Sequence, residues 1–64
     1  MTNRERQMTR ALMAASKLDK EAKKVLREIE PSVLRSIRNL IQERAKRKPI
    51  WNESLDLIDK VLAE

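Results

Sequence analysis

Arginine, lysine and glutamine side chains are concentrated between the two prolines of this chain, in residues 31–48. Arg35, Arg38 and Gln42 follow one another at spacings of three and four, which places them on one face if the segment is helical. Arginine and glutamine form paired hydrogen bonds with guanine and adenine edges in the DNA major groove, and cations neutralise phosphates. The segment therefore predicts a contact with nucleic acid, and DNA is favoured over RNA because stacking aromatics are scarce.

Cations elsewhere in the chain could extend this contact. The four at the C-terminal end of the segment, residues 44–48, also have a structural interpretation, because cations stabilise a helix C-terminus and could pair with the acidic residues that follow. Those near the N-terminus could form a basic arm or first turn. The predicted nucleic-acid-binding residues are Arg4, Arg6, Arg10, Arg35, Arg38, Gln42, Arg44, Lys46, Arg47 and Lys48.

Trp51 is the only aromatic residue of the chain and offers a different kind of contact. Tryptophan is enriched among the hot spots of protein interfaces, so Trp51 could anchor a larger protein partner. The structural interpretation is a ring that packs against Leu55 and the preceding helix. The alternative function is therefore a helical protein-interaction module or inhibitor that regulates a larger protein.

The chain lacks the residue types on which most catalytic and metal sites depend. It contains no Cys, no His and no Gly, which removes disulfides, zinc sites, histidine acid–base catalysis and Gly-rich phosphate loops. Glu53, Asp56 and Asp59 alternate with apolar residues and are typical of a solvated helix face. We predict a protein that is not an enzyme and that takes no cofactor, metal or small-molecule substrate.

The same composition decides the fold class. Without Gly, the tight turns of β-hairpins lack their usual residue, whereas apolar residues recur at spacings of three and four throughout the chain. The clearest stripe is in residues 31–48 and consists of Val33, Leu34, Ile37, Leu40 and Ile41. The sequence predicts one all-α domain, residues 1–64, built as a small bundle of three to four helices at about 3–16, 19–30, 31–47 and 51–63.

The boundaries between these helices rest on capping residues and prolines. Asp19 is a good N-cap for the second helix, although one continuous helix over residues 3–30 is a serious alternative. Pro31 is expected to begin the third helix rather than to kink a longer one. Asn52 is the expected N-cap of the last helix, and the alternative is that Pro49 is its first residue.

Charge and size indicate how the chain would work. Residues 31–48 carry six cations and one carboxylate, whereas residues 49–64 carry one cation and four carboxylates. With 64 residues, no disulfide and one aromatic ring, the core is small, so we predict that a homodimer completes the bundle. No apolar run approaches the ~18 residues of a membrane span, and the basic amphipathic segment needs its stripe for the core. We therefore expect a cytoplasmic protein without a membrane contact.

Overall fold

Four α-helices and one turn of 3-10 helix form within residues 2–64, the part of the chain that the computed structural model describes. In chain order they are α1 (Asn3–Lys17), α2 (Ala22–Arg27), α3 (Pro31–Arg47), the 3-10 turn (Pro49–Trp51) and α4 (Asn52–Ala63). Residues 2–64 contain no strand. The predicted all-α fold is therefore confirmed, with four helices.

The first helix is closed at both ends by local hydrogen bonds. The Oγ1 of Thr2 accepts a hydrogen bond from the backbone N–H of Glu5 (3.1 Å), which caps its N-terminus. At the other end Leu18 adopts a left-handed conformation with φ of 51°, and its N–H donates to the carbonyl of Ala14 (3.2 Å). Because this turn stops α1 at Lys17, residues 3–30 form two helices, and the continuous helix is wrong.

The second helix is much shorter than the predicted 19–30. Asp19 does not cap it. Its carboxylate accepts from the N–H of Glu21 (3.1 Å), which stabilises a separate turn before the helix begins at Ala22. At the C-terminal end the N–H of Ile29 bonds the carbonyl of Leu26 (3.2 Å), an i to i−3 bond that tightens and ends the helix. Residues 28–30 are therefore a short turn into α3.

The third helix begins and ends where the sequence predicts. Pro31 is its first residue, a position where the missing N–H costs nothing, and Lys48 is already extended. Pro49 begins the 3-10 turn, and the predicted capping role of Asn52 is wrong. Asn52 is the first helical residue of α4, with φ of −62° and ψ of −36°, and no side chain caps this end.

The core lies between α3 and the other three helices. α3 buries four apolar side chains larger than alanine, the most of any helix, whereas the buried residues of α1 are all alanines. Met8 and Leu12 of α1 are partly buried against the core. Leu40 of the predicted stripe is instead 39% exposed. The buried apolar residues are Ala11, Ala14, Ala15, Ala22, Leu26, Ile29, Val33, Leu34, Ile37, Ile41, Ile58 and Val61.

The four helices pack into a compact unit. Its Cα radius of gyration is 10.7 Å, close to the ~11 Å expected for a compact chain of this length. Ser54 is the one buried polar residue among residues 2–64, and its Oγ donates to the carbonyl of Ala15 (2.6 Å) near the end of α1. No helix within residues 2–64 is long and apolar enough to span a bilayer.

Candidate nucleic-acid interface

The exposed side of α3 carries a row of polar side chains that we call the outer row. It consists of Arg35, Asn39, Gln42 and Lys46, at spacings of four, three and four. All four residues are exposed, while Ile37 and Ile41 on the opposite side are buried. α3 has 17 residues and is about 25 Å long. The outer row runs from Arg35 to Lys46, which is roughly three helical turns.

The structure separates Arg38 from the two residues with which the sequence groups it. Arg38 lies at the edge of α3 that faces α4, and its Nε donates to the carboxylate of Asp59. Its side chain is 35% exposed, whereas Arg35 and Gln42 are open to solvent. The predicted face of Arg35, Arg38 and Gln42 is therefore divided. Two members lie in the outer row, and the third is held within the fold.

The three N-terminal arginines occupy different surroundings. The Nη2 of Arg4 lies 3.4 Å from the Oγ of Ser36, which brings this guanidinium beside the middle of α3. Arg10 pairs with Glu28 in the turn before α3 (3.3 Å). Arg6 is exposed, and within the described residues it makes no side-chain hydrogen bond or ion pair. Of the three, Arg4 is the one that adjoins the outer row.

The cations at the C-terminal end of α3 surround a groove next to Trp51. The groove has a volume of about 270 Å³ and is lined by Arg44, Arg47, Lys48 and Trp51; we call it the Trp51 groove. The Cζ of Arg44 lies 5.2 Å from the centre of the indole ring, a cation–π contact. Trp51 itself is half-buried and packs against the core, so its ring contributes to the packing of the bundle.

None of these C-terminal cations pairs with α4 within residues 2–64, although the sequence suggests such pairs. Lys46 contacts Glu43 on its own helix (3.2 Å), and Arg44 contacts the indole. Arg38 is the α3 cation that reaches α4. Because Arg47 and Lys48 have no ion pair among the described residues, the C-terminal end of α3 keeps a positive surface.

The acidic residues of α4, and Glu64 directly after it, mostly have cationic neighbours. Asp56 contacts Lys60 on the same helix (3.2 Å). Glu64 accepts two hydrogen bonds from Arg27 (2.7 and 2.6 Å) and lies 3.3 Å from Lys23. The hydrogen bonds from Arg27 lower the pKa of Glu64 to about 2, and Lys23 adds to the effect. Residues 2–64 contain no group of three potential metal ligands.

Sequence reasoning missed one exposed member of the outer row and one internal contact. Asn39 follows Arg35 by four residues and precedes Gln42 by three, so its spacing alone could have placed it in the outer row. The pair between Arg38 and Asp59 has no comparable signal, because the two residues are 21 positions apart and meet only through helix packing.

Comparison of the chain with protein-family models, curated proteins and solved structures finds no match.

Proposed function

We propose that this protein binds duplex DNA through the outer row of α3, without catalysing a reaction, in a regulatory or architectural role. The observation that carries the proposal is the exposed sequence of Arg35, Asn39 and Gln42 on a helix whose opposite face is buried. These side chains are the types that pair with guanine and adenine edges. An α-helix fits the ~12 Å width of the major groove, so the row can be inserted as a unit.

The order of elements supports this use of α3. A short helix, a turn of residues 28–30 and a longer helix with a polar outer row follow one another, as in helix-turn-helix proteins. The turn needs no glycine here, because Glu28 and Glu30 have φ of −81° and −59°. The lack of Gly in the sequence is therefore no obstacle to such a turn.

Phosphate contacts fall to the cations around the outer row. Arg4 lies beside the middle of α3, and Lys46 and Arg47 lie toward its C-terminal end. Arg10 and Arg38 contribute less to binding in this arrangement, because each is held by a carboxylate of another segment of the chain. Within residues 2–64, Lys46 pairs only with Glu43 of its own helix, and the two side chains are 67% and 73% exposed. The resulting affinity is electrostatic in large part and falls as salt rises.

The test compares charge removal on α3 with the same charge removal on α4. Binding of a blunt 20-base-pair duplex is measured by fluorescence anisotropy over a series of salt concentrations. Arg35→Ala and Lys46→Ala should each weaken binding and reduce the slope of log K against log salt by about 1. Lys60→Ala, on α4, is the matched control and should leave the slope near that of the unmodified chain. Absence of duplex binding at low salt, or an equal loss in all three variants, contradicts the proposal.

A homodimer is the arrangement that we propose for binding. The second copy would complete the small bundle, as the sequence predicts, and would add a second outer row for recognition. Duplex sites read by paired helices are separated by about one helical turn, which a two-fold dimer matches. Sedimentation equilibrium with and without the duplex tests this, and one chain per duplex at saturation contradicts it.

A larger protein partner is the second candidate, and one observation favours it. Ile50 lies beside Trp51 with 78% of its surface exposed, the most exposed large apolar side chain among the described residues. Protein interfaces are enriched in tryptophan, and their buried centres are more apolar than the remaining surface. Ile50→Ser should abolish binding of such a partner while helical circular dichroism stays unchanged, and retained binding would remove this surface from consideration.

A further inference from the structure

We infer that the Trp51 groove binds one unpaired nucleotide, with the base stacked on Arg44 and the phosphate held by Arg47 and Lys48. The inference rests on the proposed function in taking nucleic acid as the ligand. It adds a second site, at the C-terminal end of α3, that distinguishes a duplex with a single-stranded end from a blunt duplex.

The groove is built from a single short stretch of chain. Its four lining residues lie within positions 44–51, where α3 ends and the 3-10 turn begins. Trp51 is fixed there in two ways. Its side chain packs on the core, and its backbone N–H donates to the carbonyl of Lys48 (3.1 Å). The indole in turn supports the guanidinium of Arg44 at 5.2 Å. The site therefore has a stable floor before any ligand arrives.

The chemistry of the lining indicates a flat, anionic ligand. Three of the four lining residues are cations, and no carboxylate is among them. A guanidinium supported on an indole is a planar surface, and nucleobases stack both on arginine planes and on aromatic rings. A nucleotide combines such a ring with a phosphate, whereas an acidic peptide supplies the charge without the ring.

The size of the groove favours a single residue of the ligand. Its volume of about 270 Å³ lies just below the ~300–1,000 Å³ of pockets that enclose drug-sized ligands. One base and its phosphate are therefore a better match than a folded partner segment. The groove and the outer row meet only at the C-terminal end of α3, where Lys46 of the row precedes Arg47 of the groove, and Arg44 lies on the other side of the helix from Lys46. Unpaired nucleotides at the end of a duplex placed on the row would therefore pass around this end of α3 to reach the groove.

The experiment uses the full chain and three DNAs: a blunt duplex and the same duplex with three unpaired thymidines on the 3′ or the 5′ end. Trp51 is the only tryptophan, so its emission reports on this groove alone. One of the two overhangs should bind roughly 5- to 150-fold more tightly than the blunt duplex, the range measured for stacking of one base. Only that DNA should change the emission of Trp51.

Variants separate the groove from the outer row. Arg47→Ala with Lys48→Ala changes exposed residues only and should bring the ratio of overhang to blunt-duplex affinity toward one. The blunt-duplex affinity should fall as well, because Arg47 also supplies a phosphate contact to the duplex. Trp51→Leu removes no charge and should bring the same ratio toward one while blunt-duplex binding remains, with helical circular dichroism as the check on folding. Ile50→Ala is the matched control, an exposed apolar neighbour, and should keep the preference. Arg35→Ala should weaken all three DNAs by a similar factor.

The outcomes distinguish this inference from the proposed function. If no DNA binds at low salt, both are wrong. If the blunt duplex binds but neither overhang adds affinity or alters Trp51 emission, the groove is not a nucleotide site and the outer row still stands. If poly-glutamate changes the emission of Trp51 at concentrations where the overhang does not, the groove is a site for acidic protein, and the inference is overturned.

Discussion

The two faces of α3 differ in what their side chains contact. On the inner face Val33, Ile37 and Ile41 are buried against the other helices, and on the outer face Arg35 and Gln42 contact solvent. Arg38 lies between them and takes its partner, Asp59, from α4. The difference shows that the cations of one helix do not form one surface. Some are part of the fold, and only the remainder is available to a ligand.

The largest expected effect tests whether the inner face carries the stability of the bundle. Ile37 is 1% exposed, so Ile37→Ala should lower the free energy of unfolding by about 2–5 kcal/mol, through lost burial and the cavity left behind. Gln42→Ala, on the outer face, should change it by less than ~0.5 kcal/mol. Urea unfolding followed by circular dichroism measures both. Equal losses would mean that the outer row is also structural.

A polar contact on the inner side should give the next largest effect. Ser54 is 2% exposed, and its hydroxyl is the partner of the buried carbonyl of Ala15, one of the last four of α1. Ser54→Ala leaves that carbonyl unsatisfied and should cost about 1–3 kcal/mol in urea unfolding. Ser16→Ala is the matched control, because that hydroxyl is exposed and bonds within its own helix. A loss for Ser16→Ala as large as that for Ser54→Ala would contradict the assignment.

The third helix was predictable from sequence because local signals agree along it. Pro31 sets its start, apolar residues at helical spacing set its inner face, and Pro49 limits its extent. The outer row follows from the same spacing, once the inner face is known. Periodicity and proline chemistry were sufficient for the bounds of this helix, but not for every position on its faces, since Leu40 is exposed and Arg38 pairs with α4.

The second helix and the charge pairs were not predictable in the same way. Asp19 has the chemistry of an N-cap, but its carboxylate satisfies a turn instead, and the apolar spacing continues through that turn without a break. The partner of Arg38 depends on how α3 and α4 pack, which no local pattern of residues specifies. The sequence therefore predicted which cations belong to α3, whereas helix packing determined which of them have a carboxylate partner within the fold.

A double-mutant cycle between α3 and α4 sharpens the division among the α3 cations. Arg38→Ala and Asp59→Ala should show a coupling of about 0.2–1 kcal/mol in urea unfolding, the range of partly exposed ion pairs. Arg35→Ala with Asp59→Ala should show none. In duplex binding Arg35→Ala should have the larger effect, because it removes a cation without a carboxylate partner among the described residues, whereas Arg38 is paired with Asp59. Coupling of Asp59 to Arg35 as strong as to Arg38 would contradict the separation.

The smallest expected effect concerns Arg27, a second cation that has a carboxylate partner within the fold. Its partner Glu64 has a pKa lowered from 4.5 to about 2, chiefly by the hydrogen bonds from Arg27. A lowered pKa in the folded state means that this pair stabilises the fold above pH 4.5, and that the contribution disappears as the pH falls through about 2. The thermal midpoint of the unmodified chain should therefore exceed that of Glu64→Gln at pH 5, and the difference should close toward pH 2. Because both side chains are exposed, the difference should be small and should shrink in high salt. A constant difference between the two midpoints from pH 5 to pH 2 would show that Glu64 acts through packing rather than charge, and Arg27 would then count among the available cations.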